Sequence, residues 1–364
     1  MLAGVTIIEV EALGPAPFAG RMLAELGADV IVIHRKDDGH SPAKSAQSPL
    51  DAGKRSISLN LKETADVAIA RDLIAAADAV IEGFRPGVME KLGLGPDVVM
   101  RDNPALVFGR MTGWGQSGPL SHVAGHDLNY IALSGALHYT GTPDAIPQTP
   151  ATVVGDIGGG ALYLVAGVLS GLIQAMKTGV GTVVDAAIVD GSAHMMNLVM
   201  SLQSIGGVSM QRGQSFLDGP HWSRVYRCAD GRYISVQCIE PQFYALFLTV
   251  MDLGADDDFA RPYDTSQWPK ACARLTEMFA QHPQDHWAAL FDGTDACVAP
   301  VLSPDRAAMH PHVAARGIWE NTDGVLSAAP APRFSNYDAP HGQIPHRDGD
   351  RDAILAWAAA AKGR

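Results

Sequence analysis

Short apolar runs alternate with longer amphipathic stretches through the first half of the chain. Residues 5–10 predict a strand, 16–26 a helix and 29–34 a second strand, which together make one βαβ unit. A helix over 66–77 then feeds a strand at 79–82, and a further strand is expected at 106–111. This order implies a parallel sheet with helices on both faces. Residues 157–176, IGGGALYLVAGVLSGLIQAM, have bilayer-spanning length and no charge. Glycines at 158, 159, 160, 167 and 171 suit close packing against a helix or sheet, so a buried core helix is expected there, with no membrane span. A turn at 179–181, a strand at 183–186 and a helix at 190–201 follow. The glycine-rich stretch 206–219 reads as a linker. Residues 226–236, carrying the Asp230-Gly231 turn signal, open a second domain with helices at 243–251, 268–281 and 286–291 and a strand at 298–302. A helix at 353–361 ends the pattern. The expected fold class is α/β: a Rossmann-like large domain over 1–205 completed by 320–364, a linker over 206–222, and a smaller α+β domain over 223–319.

Composition narrows the function classes. The 364 residues carry a formal charge of -12 and no run of Lys and Arg, so no track for a phosphate backbone exists and nucleic acid is excluded as the expected partner. Cys228, Cys238, Cys272 and Cys297 form no C-x-x-C pair and read as reduced thiols. The first residues, MLAGVTIIEVEALG, lack the basic n-region of a signal peptide, which points to a cytoplasmic protein. The turn Gly14-Pro15-Ala16-Pro17 lacks G-x-G-x-x-G spacing, and the second strand ends in His34-Arg35 where a ribose-binding acid would stand, so nicotinamide binding is not expected.

Chemistry-bearing residues fall at the ends of these elements. His126-Asp127 lies in the glycine- and polar-rich stretch 113–129, where a loop beyond a sheet's carboxyl edge would carry a site. A capping Asp with an incidental His explains the pair equally. Asp156, just before the long apolar helix, reads as an N-cap, or as an acid beside free N–H groups that stabilise a forming anion. Glu240 ends a strand-like run in the second domain and by itself reads as a solvated carboxylate. Arg35, Lys54, Arg55, Lys62, Arg85 and Lys91 sit in or beside loops between sheet elements, as surface charges or phosphate contacts. His310-Pro311-His312 reads as a surface turn, and no cluster has metal-ligand spacing, so no metal is expected.

The motifs GKRSISLNLK, IEGFRPGVMEKLGLG, RMTGWGQSGP, GHDLNY, VVGDIGGG, CIEPQFY and DACVAPVL, in that order, resemble the alpha-methylacyl-CoA racemases of the family III CoA-transferase superfamily over residues 1 to about 340. The resemblance implies that His126 and Asp156 are opposing catalytic bases, with Asp127 beside His126 and Glu240 orienting it. It implies CoA contacts from Arg35, from Leu59, Asn60, Leu61 and Lys62, from Gly83, Phe84, Arg85, Pro86 and Gly87, and from Gly125, Leu128, Asn129 and Tyr130. Lys91 stands where these racemases often carry Arg, and its point charge lacks the bidentate geometry of a guanidinium. Interlocked homodimers are implied as well, with sites between the large domain of one chain and the small domain of the other.

Racemisation of a 2-methylacyl-CoA thioester needs one group to remove the C2 proton and another to protonate the opposite face of the enolate. The thioester itself acidifies C2, so no cofactor is expected and CoA belongs to the substrate. Two alternatives remain at this point: a family III CoA-transferase in which Asp127 takes the acyl group, and a non-catalytic acyl-CoA-binding protein. The acyl chain, whether branched fatty acid, sterol side chain or bile acid, is not legible.

Overall fold

Five consecutive buried residues, three of them apolar (Ile7, Ile8 and Val10), make Thr6–Val10 (β1) the centre of a sheet. The computed structural model describes residues 1–36, 48–322, 325–340 and 342–361. After β1 come helix α1 (Pro15–Glu25), started by Pro at its first turn, strands β2 (Asp29–Arg35) and β3 (Arg55–Leu59), helix α2 (Thr64–Ala76) and strand β4 (Ala79–Glu82). Two short helices, α3 (Val88–Lys91) and α4 (Pro96–Asp102), lead to β5 (Val107–Thr112), then α5 (Asp127–Leu133), α6 (Leu162–Thr178), β6 (Thr182–Ala187) and α7 (Ile188–Met195).

The six strands are all parallel in the order β3-β2-β1-β4-β5-β6. That is the doubly wound order of a Rossmann-like sheet, with its switch point between β1 and β4. Ile7, Ile81 and Val107 point to the face covered by α1 and α6. Ile8, Ile31, Ile57 and Phe108 point to the other, covered by α2, α4 and the C-terminal helix Arg351–Ala361. Each such aliphatic side chain taken fully from water contributes about 1.5–3 kcal/mol.

The apolar segment runs on as helix over Val153–Thr178, long and apolar enough to cross a bilayer by length and composition. One face of it is buried in the core through Leu164, Val165, Val168 and Leu172. A Cβ at Gly167 would stand 2.4 Å from Val184 and one at Gly171 2.8 Å from Val107, so both glycines let the helix lie on the sheet, as their spacing suggested.

The strand β3 was not expected. Its sequence RSISL alternates apolar residues with serines, yet the serines are also buried. Carboxylates from the C-terminal segment cover this edge: Ser56 N–H donates to Asp350 at 2.9 Å and Ser58 N–H to Asp348 at 2.7 Å.

The chain divides into two compact units. The first holds residues 1–136, 150–196 and 330–364; the second holds 137–149 and 197–329. The expected helix over 190–201 is broken at Met196, where the chain passes from one unit to the other, and resumes as α8 (Asn197–Ser204). In the second unit, β7 (Ser223–Arg227) and β8 (Tyr233–Gln237) form the expected antiparallel hairpin, with Gly231 at φ 79° in its turn. Helices α9 (Pro241–Val250), α10 (Trp268–Phe279) and α11 (Gln284–Phe291) precede β9 (Val298–Val301), which pairs antiparallel with β8. Helices α12 (Pro304–Met309) and α13 (Pro311–Ala315) meet at His310, where a surface turn was expected. Strands β10 (Trp319–Thr322) and β11 (Val325–Ala328) form a second hairpin. The unit's core is aromatic, with Tyr226 stacked on Phe279 at 5.0 Å and Phe247 on Phe291 at 5.8 Å. Residues 206–222 do not behave as a solvated linker: Ser215, Asp218, His221 and Trp222 are buried, packed into this second unit.

Candidate active site

At the carboxyl ends of β1, β4 and β5 the first unit opens a cavity of 340 Å³, at the switch point of the strand order. His126 and Asp156 both line it, with Gly14, Arg85, Trp114 and Tyr130 among the other walls. Sequence distance is bridged because β5 delivers the loop ending in His126, while the helix that returns toward β6 carries Asp156 near its start.

His126 is exposed at the start of α5, and its backbone N–H donates to Asn129 Oδ1 at 3.0 Å. Tyr130 lies beneath: its hydroxyl donates to the Gly125 carbonyl, and its ring meets Trp114 edge-on at 4.7 Å. A Cβ at Gly113 would stand 2.0 Å from that ring and one at Gly125 2.7 Å, so both glycines exist to admit it. Asn129 and Tyr130 thus hold the His126 turn in shape, while Leu128 is exposed and does not line this cavity.

Asp156 is not the N-cap of a helix, as its position suggested. It lies inside a π-helical segment, Val153–Ala161, whose N-cap is Thr152 at φ 62°. Its N–H is not free either, since it donates to Asp127 Oδ1 at 2.8 Å. Burial first, and then the Asp127 carboxylate, push the Asp156 carboxyl up to about 6, against the attraction of His126. Such a group holds or releases a proton near neutrality, as an acid/base catalyst must.

A second cavity of 670 Å³ opens at the carboxyl ends of β1, β2 and β3 and shares Phe84 with the first. Arg35, Leu59, Asn60, Leu61 and Lys62 line it. Arg35 and Lys62 form no ion pair among the described residues, whereas Lys36 is tied to Asp66 at 2.9 Å. Two of the basic candidates are otherwise engaged. Lys54 is buried and donates to Glu9 Oε2 at 2.7 Å, and Arg55 binds Asp29. Gly87 and Lys91 line neither cavity.

The turn 83–87 is fixed by residues that its sequence did not single out. Buried Glu82 accepts the Phe84 N–H at 2.6 Å and the Arg110 guanidinium at 3.1 Å, and Arg110 also reaches Glu90 at 2.7 Å. Glu82 sits at the end of a strand and Arg110 in the middle of one, where a charge in an apolar run is the signal that could have found them. Glu240 belongs to the second unit, exposed at the N-cap of α9.

The chain resembles known proteins along most of its length. The family model described as CoA-transferase family III matches residues 2–348. The chain is 39% identical over 343 residues to the alpha-methylacyl-CoA racemase of Mus musculus, covering 93% of this chain and 88% of that protein. It is 29% identical over 355 residues to the acetyl-CoA:oxalate CoA-transferase of Acetobacter aceti, covering 93% and 90%. The crystal structure of a CAIB/BAIF family protein from Brucella suis superposes with a TM-score of 0.81 at 26% identity, covering 98% of each chain. With one family model spanning nearly the whole sequence and a relative this similar along its length, the chain belongs to CoA-transferase family III.

Proposed function

We propose that the protein is a racemase that interconverts (2R)- and (2S)-2-methylacyl-CoA esters by proton transfer at C2. The observation that carries this is the presence of a His and an Asp with a raised pKa on the walls of one cavity. Neutral His126 removes the C2 proton on one face, and protonated Asp156 returns one on the other. The opposite enantiomer reverses the two roles, so both directions draw on the same singly protonated pair. The intermediate is an enolate of the thioester. Similarity to the mouse and human racemases, at 39% and 37% identity, supports this activity over the transferases of the same family.

The second cavity is assigned to the CoA part of the substrate, where the charges of Arg35 and Lys62 suit phosphates. Glu240 is assigned to orient His126 in a homodimer, in which it is Glu240 of the partner subunit that completes the site. Asp127 as an acyl acceptor is disfavoured: it is only 7% exposed and one of its oxygens already accepts a backbone N–H.

Incubation of the pure protein with a (2R)-2-methylacyl-CoA in D2O tests the proposal. Both epimers, carrying deuterium at C2, are expected without any added acid. Release of CoA to an acceptor acid with C2 unlabelled and unepimerised would overturn it.

A further inference from the structure

Building on the racemase reading, we infer that the Asp127 side chain is a positioning residue for Asp156, anchoring the backbone of the second base and keeping a like charge beside its carboxyl. Three observations on different residues support this. Asp127 is the buried member of the His126-Asp127 pair, and its Oδ1 accepts the Asp156 N–H at 2.8 Å. Gly155 makes the approach possible: a Cβ there would stand 2.3 Å from Asp127 Oδ1 and 2.9 Å from Ile131. The π-helical turn gives Asp156 no capping side chain of its own, so this carboxylate is the partner that fixes it.

The charges around Asp156 are few. From α5 come His126, Asp127 and the Tyr130 phenol; Arg85 comes from the turn after β4. The elements packed on its other sides present Gly14, Ile188, Ser192 and Met195 to this segment; of the titratable groups on α7, His194 is hydrogen-bonded with the Tyr163 hydroxyl at 2.7 Å and Asp190 has Asp185 as its charged neighbour. Arg85 is exposed, so among the groups close to Asp156 the Asp127 carboxylate is the one that opposes its ionisation, after burial itself. A like charge held close raises a carboxyl pKa. Asp127 therefore keeps the proton of Asp156 available near neutral pH without touching the substrate.

The test is the titration of the Asp156 carboxyl, followed by carbon NMR on the unliganded full-length protein, together with pH profiles of epimerisation. Wild-type protein is expected to titrate near 6. Asp127→Asn keeps an oxygen to accept the N–H and removes the charge, so the Asp156 midpoint should move to lower pH by about one unit, a roughly tenfold loss of protonated acid at fixed pH. The acid limb of kcat/KM should move with it, equally for both enantiomers. Gly155→Ala, which drives the two groups apart while both remain, should shift the midpoint in the same direction. A wild-type midpoint in the ordinary carboxyl range near 4, or a midpoint unchanged in Asp127→Asn, overturns the inference. Because the NMR titration needs no turnover, absence of racemase activity with the expected shift would refute the racemase reading and leave the carboxylate pair standing.

Discussion

Asp156 and His126 share a cavity but face it with different constraints, and this asymmetry can be measured residue by residue. His126 stands exposed on a turn braced from below by Tyr130, while Asp156 is half-buried in a π-helical turn. Asp156→Asn keeps the shape and cannot accept a proton. Epimerisation should fall by about 10²–10⁴, the contribution of one acid/base group. Exchange of the C2 proton facing His126 for solvent deuterium should persist, since that base still exchanges. His126→Ala should give the mirror result, with exchange surviving for the other enantiomer. Both measurements use the same assay in D2O, and an Asp156→Asn enzyme that racemises at the normal rate would remove Asp156 from the chemistry. The residue types at these positions were legible in the sequence as His126-Asp127 and Asp156. What they do locally was not, because an N-cap and a π-helical turn place the same Asp in front of the same glycines.

At the scale of elements, the strands were the readable part and their edges were not. β1, β2, β4 and β5 carry largely apolar, buried runs, the mark of a parallel strand covered on both sides, whereas the edge strand β6 is half exposed. β3 escaped notice since its buried Ser56 and Ser58 imitate a solvent-facing alternation. They are buried by a segment almost three hundred residues away, which no local pattern reveals. The glycines after Asp156 likewise acquire meaning only from α7. A Cβ at Gly191 would stand 1.9 Å from the Gly159 carbonyl oxygen, and one at Gly159 2.3 Å from Ser192 Oγ. These glycines allow α7 to lie directly on the turn that carries Asp156. Gly191→Ala should therefore force backbone apart, lowering stability by about 1–3 kcal/mol and reducing racemisation more than CoA affinity. Thermal melting and a KM-against-kcat comparison check this; an unperturbed kcat would show that the packing does not reach the site.

For the molecule as a whole, a loss of stability in acid can be traced to one of the two units. In the second, His221 is 1% exposed and its Nε2 lies 2.8 Å from the Tyr244 hydroxyl. That hydroxyl has its own acceptor in the Phe259 carbonyl, so Nε2 carries the hydrogen and Nδ1 is left bare and unpartnered. Burial, and then the charge of Arg224, push the imidazole down to about 4. The unfolded chain takes up a proton near 6.5, which the folded one refuses. The stability contributed is thus complete above about 6.5 and is lost as pH falls toward 4, in all roughly 3 kcal/mol. Melting curves across that range should show the loss in wild-type protein and a flatter profile in His221→Gln; parallel profiles would exclude His221 as the cause. The division of the chain into interleaved segments has a different consequence, for synthesis. Ser56 meets its partner Asp350 across 294 residues, and Ser58 meets Asp348 across 290. While the chain is still emerging from the ribosome, the outer edge of β3 has no cover, and the first unit must wait with unpaired N–H groups exposed until its last segment is made. An uncovered strand edge is a template for pairing with another chain, so the growing polypeptide passes its longest interval in the state most open to aggregation and to the chaperones that guard against it.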